Sequence, residues 1–280
     1  MDTRRKKIAN FIQTNATLID CEWTNFFAEN NFITGVSLDG PKRFHDKTRY
    51  YPDLKGTYNC VMESINLLRE AEIFNGVICG ITAKNYKYPN EIFNFFISEN
   101  IKKLKFGRIK DIGCCDNIST LTISSKQYFD FLIAVFDLWL KYDDPEIEIR
   151  DIQSVVNLIL GGNKRECIYM GKCDQFVTVY SDGSIYSCDS FPKIDSLYFG
   201  NVFEKPNKTT ADNNLRLFQK MITEHKKYCQ KCNWYFICRG GCTRDYYSIM
   251  PSVESINNNC NNLKRYFNYI FEKIKSCGLI

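Results

Sequence analysis

The chain has 280 residues, of which 44% are hydrophobic and 25% are charged, and its formal net charge is +5. This composition is typical of a soluble globular protein of one or two domains. The apolar runs fall well short of the ~18 residues that a membrane span needs, and no secretory leader is recognisable, so we expect a cytoplasmic protein with no membrane partner. Fourteen cysteines then favour metal binding over disulfides, because cytosolic thiols stay reduced.

The first half of the sequence alternates short apolar strands with amphipathic helices. Hydrophobic periodicity predicts strands over 11–13, 33–38, 77–81 and 104–109, and helices over 22–30, 58–70, 90–98 and 125–141. Strands that alternate with helices imply βαβ units and a parallel sheet, so the predicted fold class is α/β.

The pattern changes from Glu166 onward, where cysteines become frequent and the strands shorten. Residues 175–187 predict a hairpin that turns at 181–183. The Asn-rich stretch 257–262 and the lysine pair 226–227 predict loops. We therefore expect two domains, residues 1–165 and 166–280.

Eight cysteines of the second domain have a spacing that indicates metal binding. Four form a tight run, Cys-x2-Cys-x5-Cys-x3-Cys over 229–242, and Cys173 and Cys188 lie at the two ends of the predicted hairpin. Eight cysteines make two sets of four, the ligand count of two [4Fe–4S] clusters or of two zinc ions. Zinc sites of four thiolates usually use two Cys-x2-Cys pairs, and only one is present here, which favours iron–sulfur clusters.

The pattern Cys-x9-Gly-x4-Cys, a gap, Cys-x2-Cys-x5-Cys-x3-Cys, a gap and Cys resembles the SPASM domain of radical S-adenosylmethionine (radical SAM) enzymes. Within that superfamily the chain is similar to anaerobic sulfatase-maturating enzymes, through the segments 13–18 (QTNATL), 35–41 (GVSLDGP), 45–49 (HDKTR), 188–189 (CD) and 238–242 (CRGGC). The likeness runs from about residue 9 to 265. It implies a partial (β/α) radical-SAM barrel, from about strands 4–6 onward, followed by the SPASM domain.

The resemblance also assigns the cysteines to two auxiliary [4Fe–4S] clusters. An inner cluster would be held by Cys167, Cys173, Cys188 and Cys242, and an outer cluster by Cys229, Cys232, Cys238 and Cys260. Cys277 has no counterpart in the family. Eight thiolates and two cluster cores would leave the net charge near about +1, so we expect no nucleic-acid partner.

Further residues of this sequence match positions with a role in the family. Ser37 and Arg49 would contact the methionine carboxylate of S-adenosylmethionine, a task that suits the bidentate fork of arginine. Asp189 would act as the base that takes a proton from the substrate. The segment Gln13-Thr14-Asn15 would line the barrel mouth. The ordinary alternatives are a turn at Ser37, a solvated charge at Arg49, a turn cap at Asp189, and a strand end that caps the next helix at residues 13–15.

The Cys-x3-Cys-x2-Cys triplet that holds the catalytic cluster in the family is absent from these 280 residues, as is the Gly-Gly-Glu segment. A complete family member would use a 5′-deoxyadenosyl radical to convert a peptidyl Cys or Ser into formylglycine, with a sulfatase-like peptide as its partner. We expect this chain to be truncated and inactive alone, or to work with a separate subunit that carries the catalytic cluster. The alternatives are a non-catalytic iron–sulfur module for peptide binding or electron transfer, and a SPASM enzyme that modifies another peptide.

Overall fold

The computed structural model describes residues 8–109, 120–163, 166–191, 195–205, 208–247 and 253–280. Contacts divide the described residues into two compact units, one up to Gln153 and one from Ser154 onward. The boundary predicted at residue 165 and the cysteine pair 114–115 lie outside the described residues.

The first unit is built on one parallel sheet whose strands pair in chain order. Its strands are β1 Asn10–Thr14, β2 Phe32–Ser37, β3 Phe74–Ile81, β4 Lys103–Arg108 and β5 Glu148–Ile149. Its helices are α1 Cys21–Glu29, α2 Lys42–His45, α3 Tyr58–Glu70, α4 Pro89–Ser98 and α5 Ser125–Tyr142, and α6 Arg150–Ile159 leads into the second unit. Each strand is placed beside the previous one in the same direction across the sheet, as in a singly wound sheet. In a doubly wound sheet the strand order would reverse at a switch point.

The predicted elements of this unit are confirmed, with bounds that shift by at most three residues. Their apolar stripes form the core: α3 buries Val61, Ile65 and Leu68, and the alternate residues Val77 and Cys79 of β3 are also buried. Helix α5 begins at a capping box in which Ser124 and Gln127 bond each other's backbone N–H groups. The α/β class predicted from the sequence is therefore correct.

Strand β1 lies at one edge of this sheet and, within the described part of the chain, pairs with β2 alone. The ring of Phe11 on β1 is 66% exposed and Ile33 on β2 is 38% exposed. Exposed apolar side chains on an edge strand are typical of sheets in which another polypeptide segment covers that edge.

In its described part, the second unit combines a small antiparallel sheet with the α-helices that follow α6. The helices are α7 Cys167–Met170, α8 Lys208–Cys229, α9 Tyr235–Cys238, α10 Thr243–Tyr247 and α11 Val253–Ser276. The strands are β6 Thr178–Val179, β7 Ser184–Tyr186 and β8 Tyr198–Asn201, in the order β6-β7-β8. The predicted hairpin is confirmed: β6 and β7 pair antiparallel, and Gly183 adopts φ +80° in the turn between them.

The two predicted loops of this unit are wrong. Lys226 and Lys227 lie in the last turn of α8, and the asparagines of 257–262 lie inside α11. Helix α11 buries a regular apolar face, which is formed by Leu263, Tyr266, Phe267, Ile270 and Ile274. Burial at this helical spacing outweighs the low helix propensity of asparagine. None of the described helices is both long enough and apolar enough to cross a membrane.

Candidate functional site

Gln13 and Ser37 meet at the carboxyl ends of β1 and β2. The side-chain amide of Gln13 donates from Nε2 to Ser37 Oγ over 3.2 Å. Parallel α/β proteins place ligand contacts at this end of the sheet. Gln13, predicted at the barrel mouth, is thus a neighbour of Ser37, predicted to bind the cofactor.

Gly35 makes this approach possible. A Cβ atom at position 35 would lie 2.3 Å from Gln13 Oε1, which is far inside van der Waals contact. The missing side chain of Gly35 therefore leaves the space that the Gln13 amide occupies.

Arg49 is held by Asp39, two residues beyond Ser37. Arg49 Nε lies 2.8 Å from Asp39 Oδ2, and Nη2 lies 3.2 Å from Oδ1. The buried carboxylate also accepts from Thr48 Oγ1 at 2.9 Å and from the backbone N–H of Gly80 at 2.8 Å. Because Gly80 is in β3, Asp39 connects the loop after β2 to the neighbouring strand and orients the guanidinium of Arg49 there.

His45 is buried behind this pair and is neutral. Its Nδ1 accepts from the backbone N–H of Asp39 over 3.2 Å, and its Nε2 is 2.9 Å from Thr57 Oγ1. Burial lowers the pKa of His45 to about 4, with the charge of Arg49 acting in the same direction and the carboxylates of Asp39 and Asp46 opposing it. The deprotonated Nδ1 is what lets the ring hold the backbone of Asp39.

Asn85 also contacts Asp39, because its side-chain Nδ2 donates to the carbonyl oxygen of Asp39 over 3.4 Å. Its side-chain amide donates to the carbonyl oxygen of Gly80 at 2.8 Å, and its Oδ1 accepts from the backbone N–H of Thr82 at 2.8 Å. Sequence reasoning missed both Asp39 and Asn85. A signal was available only for Asp39, as a carboxylate that directly follows a buried strand and precedes an arginine by ten residues.

In the second unit the structure brings together Cys229, Cys232, Cys238 and Cys260. The pKa of Cys238 is raised to about 12, first by burial and then by Cys229, Cys260 and Cys232. The pKa of Cys229 is raised by burial and then by Cys260 and Cys232. These effects require thiols that are close enough to interact electrostatically.

Local structure explains this convergence. The backbone N–H of Cys232 bonds to Cys229 O at 3.0 Å as α8 ends, and the N–H of Gly241 bonds to Cys238 O at 2.8 Å as α9 ends. Four thiols in one partly buried place disfavour one another's ionisation, whereas a positively charged metal centre reverses that preference. The donor type therefore suits an iron–sulfur cluster, although the described side chains as placed hold no single metal ion.

The other predicted set is brought together in part. Cys173 and Cys188 flank the β6–β7 hairpin, and both pack against the same small core of Phe191, Leu197, Phe218 and Ile222. Cys173 Sγ lies 3.1 Å from Thr243 Oγ1, next to Cys242. Cys167 begins α7, and its side chain is exposed. No three His, Cys, Asp or Glu side chains of the described residues form a group that could hold a single metal ion.

Asp189 follows Cys188 and is exposed. Its Oδ1 lies 3.4 Å from the Cys188 thiol and 3.4 Å from Ser190 Oγ, and both of these groups act as donors. The carboxylate is therefore an acceptor beside a predicted cluster ligand. Ser37 and Arg49 belong to the first unit and Asp189 to the second, and each is positioned by its own unit.

Comparison with known proteins gives concordant relatives, although no family model matches the chain. A cysteine-type anaerobic sulfatase-maturating enzyme of Clostridium novyi is 32% identical, over 98% of this chain and 74% of the relative. A serine-type anaerobic sulfatase-maturating enzyme of Bacteroides thetaiotaomicron is 28% identical, over 95% of this chain and 69% of the relative.

A solved structure gives the same result. Native anSMEcpe with bound AdoMet and Cp18Cys peptide superimposes with a TM-score of 0.84 at 30% identity, covering 98% of this chain and 77% of that one. The likeness therefore extends over both units of the present chain.

Proposed function

This chain belongs to the family of anaerobic sulfatase-maturating enzymes, which are radical SAM enzymes, and from that membership we propose that it serves the oxidation of a peptidyl Cys or Ser to formylglycine. The observation that supports the proposal is the convergence of Cys229, Cys232, Cys238 and Cys260, which the resemblance to the family assigns to one cluster.

Two auxiliary [4Fe–4S] clusters would be held by the eight cysteines of the second unit. The outer set is the converging group, and the inner set is Cys167, Cys173, Cys188 and Cys242. When bound, such clusters accept single electrons at potentials that the surrounding protein tunes. The chain's own contribution is a rigid frame, since α8, α9 and α11 each carry a ligand of the outer set.

Ser37 and Arg49 would bind the methionine carboxylate of S-adenosylmethionine, which supplies the hydrogen-abstracting chemistry when it is bound. The contacts of Asp39 support this role, because an arginine whose plane is already fixed loses less conformational entropy on binding a carboxylate. Gln13 would orient the Ser37 hydroxyl through the bond to its Oγ.

Asp189 would accept the proton that leaves the substrate. The Ser190 hydroxyl donates to its Oδ1 over 3.4 Å, which orients the carboxylate beside the predicted cluster ligand Cys188. Exposure leaves it open to a peptide, which must come within hydrogen-bond reach of a general base.

The catalytic cluster would be supplied by residues outside this sequence, on the same polypeptide or on a separate subunit. The 280 residues contain no Cys-x3-Cys-x2-Cys, and the β1 edge with its exposed Phe11 offers a place for a further β/α segment. We place the complete assembly in the reducing cytoplasm, with the functional domain boundary near residue 165, where the cysteine-rich sequence begins.

Iron and sulfide analysis with EPR, on anaerobically reconstituted protein, tests this function. We expect about eight irons per chain, and no 5′-deoxyadenosine on incubation with S-adenosylmethionine and dithionite. About twelve irons, or release of 5′-deoxyadenosine, would show that this chain binds a catalytic cluster itself. An iron-free protein that binds zinc tightly would contradict the proposal.

A second candidate function is a non-catalytic iron–sulfur module for peptide binding or electron transfer. The absence of the catalytic triplet from the sequence favours it. Addition of a polypeptide that carries the triplet distinguishes the two, because only a maturase would then form formylglycine on a Cys peptide. A different modification of that peptide would instead indicate another SPASM reaction.

A further inference from the structure

A basic cleft lies within the second unit. Its volume is about 490 Å³, and its walls include the cationic side chains of Lys172, Lys226 and Arg239. No carboxylate occurs among the described residues that line it. Three cations without a neutralising partner in the lining create a positive potential that favours an anionic ligand.

Local contacts fix two of these cations. The Lys226 ammonium donates to the carbonyl oxygen of Gly171, and the guanidinium carbon of Arg239 lies 5.5 Å from the centre of the Tyr235 ring. A Cβ atom on Gly171 would lie 3.0 Å from both Cβ and O of Arg239, so the two walls of the cleft are in close contact. The charges are therefore positioned before any ligand arrives.

The cleft adjoins both predicted cysteine sets. Lys172 directly precedes Cys173 of the inner set, and Arg239 directly follows Cys238 of the outer set. If the proposed function holds, the electron that the substrate gives to the auxiliary clusters must leave the protein once per turnover. An acceptor is needed, and the surface beside the cluster ligands is the short route to it.

We propose that this cleft is the docking site for an acidic, one-electron carrier protein of the flavodoxin class, and this proposal rests on the proposed function. Carboxylates on the carrier would pair with Lys172, Lys226 and Arg239, and positive charge around the cleft would steer its approach. One electron passes from a reduced cluster to the oxidised flavin, which becomes the semiquinone and takes its proton from solvent.

The position of the cleft favours a carrier over the substrate peptide as its occupant. None of the described residues that line it belongs to the segment that carries Asp189, the predicted proton acceptor. The lining residues are Asn163, Met170, Gly171, Lys172, Lys226, Tyr235 and Arg239. The substrate must reach that carboxylate, whereas the carrier needs only proximity to a cluster.

The test compares Lys172→Glu with Lys275→Glu in anaerobically reconstituted protein. Both substitutions change the net charge equally, and Lys275 is exposed near the end of α11, about 22 Å along the helix from Cys260. The dissociation constant of oxidised flavodoxin is measured by calorimetry at low and at physiological salt. The rate of semiquinone formation is measured by stopped flow after reduction with dithionite and removal of the excess.

We expect Lys172→Glu to weaken flavodoxin binding and slow electron transfer by about tenfold at low salt, and Lys275→Glu to change each less than about twofold. Reduction of a small uncharged quinone should be equally fast in both variants. Equal flavodoxin affinities in the two variants would overturn the docking site. A loss of affinity for an acidic substrate peptide, with flavodoxin unaffected, would assign the cleft to the substrate and also overturn it. Iron analysis of the same samples separates these results from failure of the proposed function, which would show as missing clusters.

Discussion

The carboxylate of Asp39 holds the guanidinium of Arg49 by two hydrogen bonds, from Nε over 2.8 Å and from Nη2 over 3.2 Å. The Asp39 side chain is 4% exposed, whereas that of Arg49 is 29% exposed. The buried partner is thus the anchor, and the arginine extends from it toward solvent. This arrangement makes Asp39 a positioning residue for the proposed cofactor contact.

Asp39→Asn should destabilise the first unit by about 3 kcal/mol, because an uncompensated arginine and two weakened donors remain at a buried site. Urea unfolding in a Trp234→Phe background measures the loss by fluorescence, because the two remaining tryptophans, Trp23 and Trp139, both lie in this unit. The exposed pair of Asp53 with Lys55 supplies the control, and Asp53→Asn should leave the unfolding midpoint unchanged. Equal midpoints for the two variants would show that the Asp39 contacts contribute nothing to stability.

His45 should make the first unit sensitive to mild acid. Its pKa is about 4 in the folded chain and 6.5 in a model peptide, so between these values the unfolded chain binds more protons. Stability is therefore constant above pH 6.5 and falls as the pH drops toward 4, by about 2 kcal/mol between pH 7 and pH 5.

The measurement for His45 is urea unfolding at pH 7 and at pH 5, with His45→Asn as the control. Asparagine retains an acceptor near Nδ1 but does not titrate, so the variant should lose about 2 kcal/mol less over the same interval. Parallel pH dependence of the two proteins would show that the ring is not kept neutral.

Gly35 and Gln13 should be coupled energetically. Gly35→Ala should cost about 1 kcal/mol, since the new Cβ displaces the Gln13 amide from Ser37. In a Gln13→Ala background the same substitution should stabilise by about 0.5 kcal/mol, because glycine is unfavourable within a strand. A double-mutant cycle by urea unfolding measures this change of sign, and an identical cost in both backgrounds would refute the contact.

Much of this fold follows from short-range patterns. Every strand and helix predicted for the first half is present, because each buries a stripe of the expected period, as Val61, Ile65 and Leu68 do in α3. The asparagine-rich part of helix α11 was mispredicted as a loop, because the apolar face of this helix becomes apparent only when the rest of the unit packs against it. Helix propensity depends on the local sequence, whereas burial of this apolar face depends on contacts with other elements of the unit.

The candidate site likewise has a part that the local sequence predicts and a part that depends on distant contacts. The spacing of cysteines identified Cys229, Cys232, Cys238 and Cys242 as one run, because ligands that are close in sequence can converge through a tight turn. Only the resemblance assigned Cys242 to the other set. Cys260 joined them only through the resemblance, and the structure supplies the physical reason, since α11 carries it to the end of α8. Asp39 was missed although it follows a predicted strand, because that position alone does not show that the carboxylate is buried and bonded to an arginine.

Pairs of cysteine substitutions should separate the two proposed clusters. Replacing Cys229 and Cys260 together by alanine removes two ligands of one set, so the protein should retain about four irons of about eight. Replacing Cys173 and Cys260 removes one ligand from each set, and we expect both clusters to be lost or strongly depleted. Iron and sulfide analysis after anaerobic reconstitution measures this difference.

Cys60→Ala and Cys277→Ala serve as controls, because neither residue belongs to a proposed set, and both variants should keep about eight irons. The fluorescence of Trp234 reports on folding of the second unit, since this ring stacks on Phe236 and contacts Phe267. If the Cys229/Cys260 variant loses all iron while its Trp234 emission stays native, the eight cysteines are divided differently. If it keeps all eight irons, the convergence of these thiols has another cause than cluster binding.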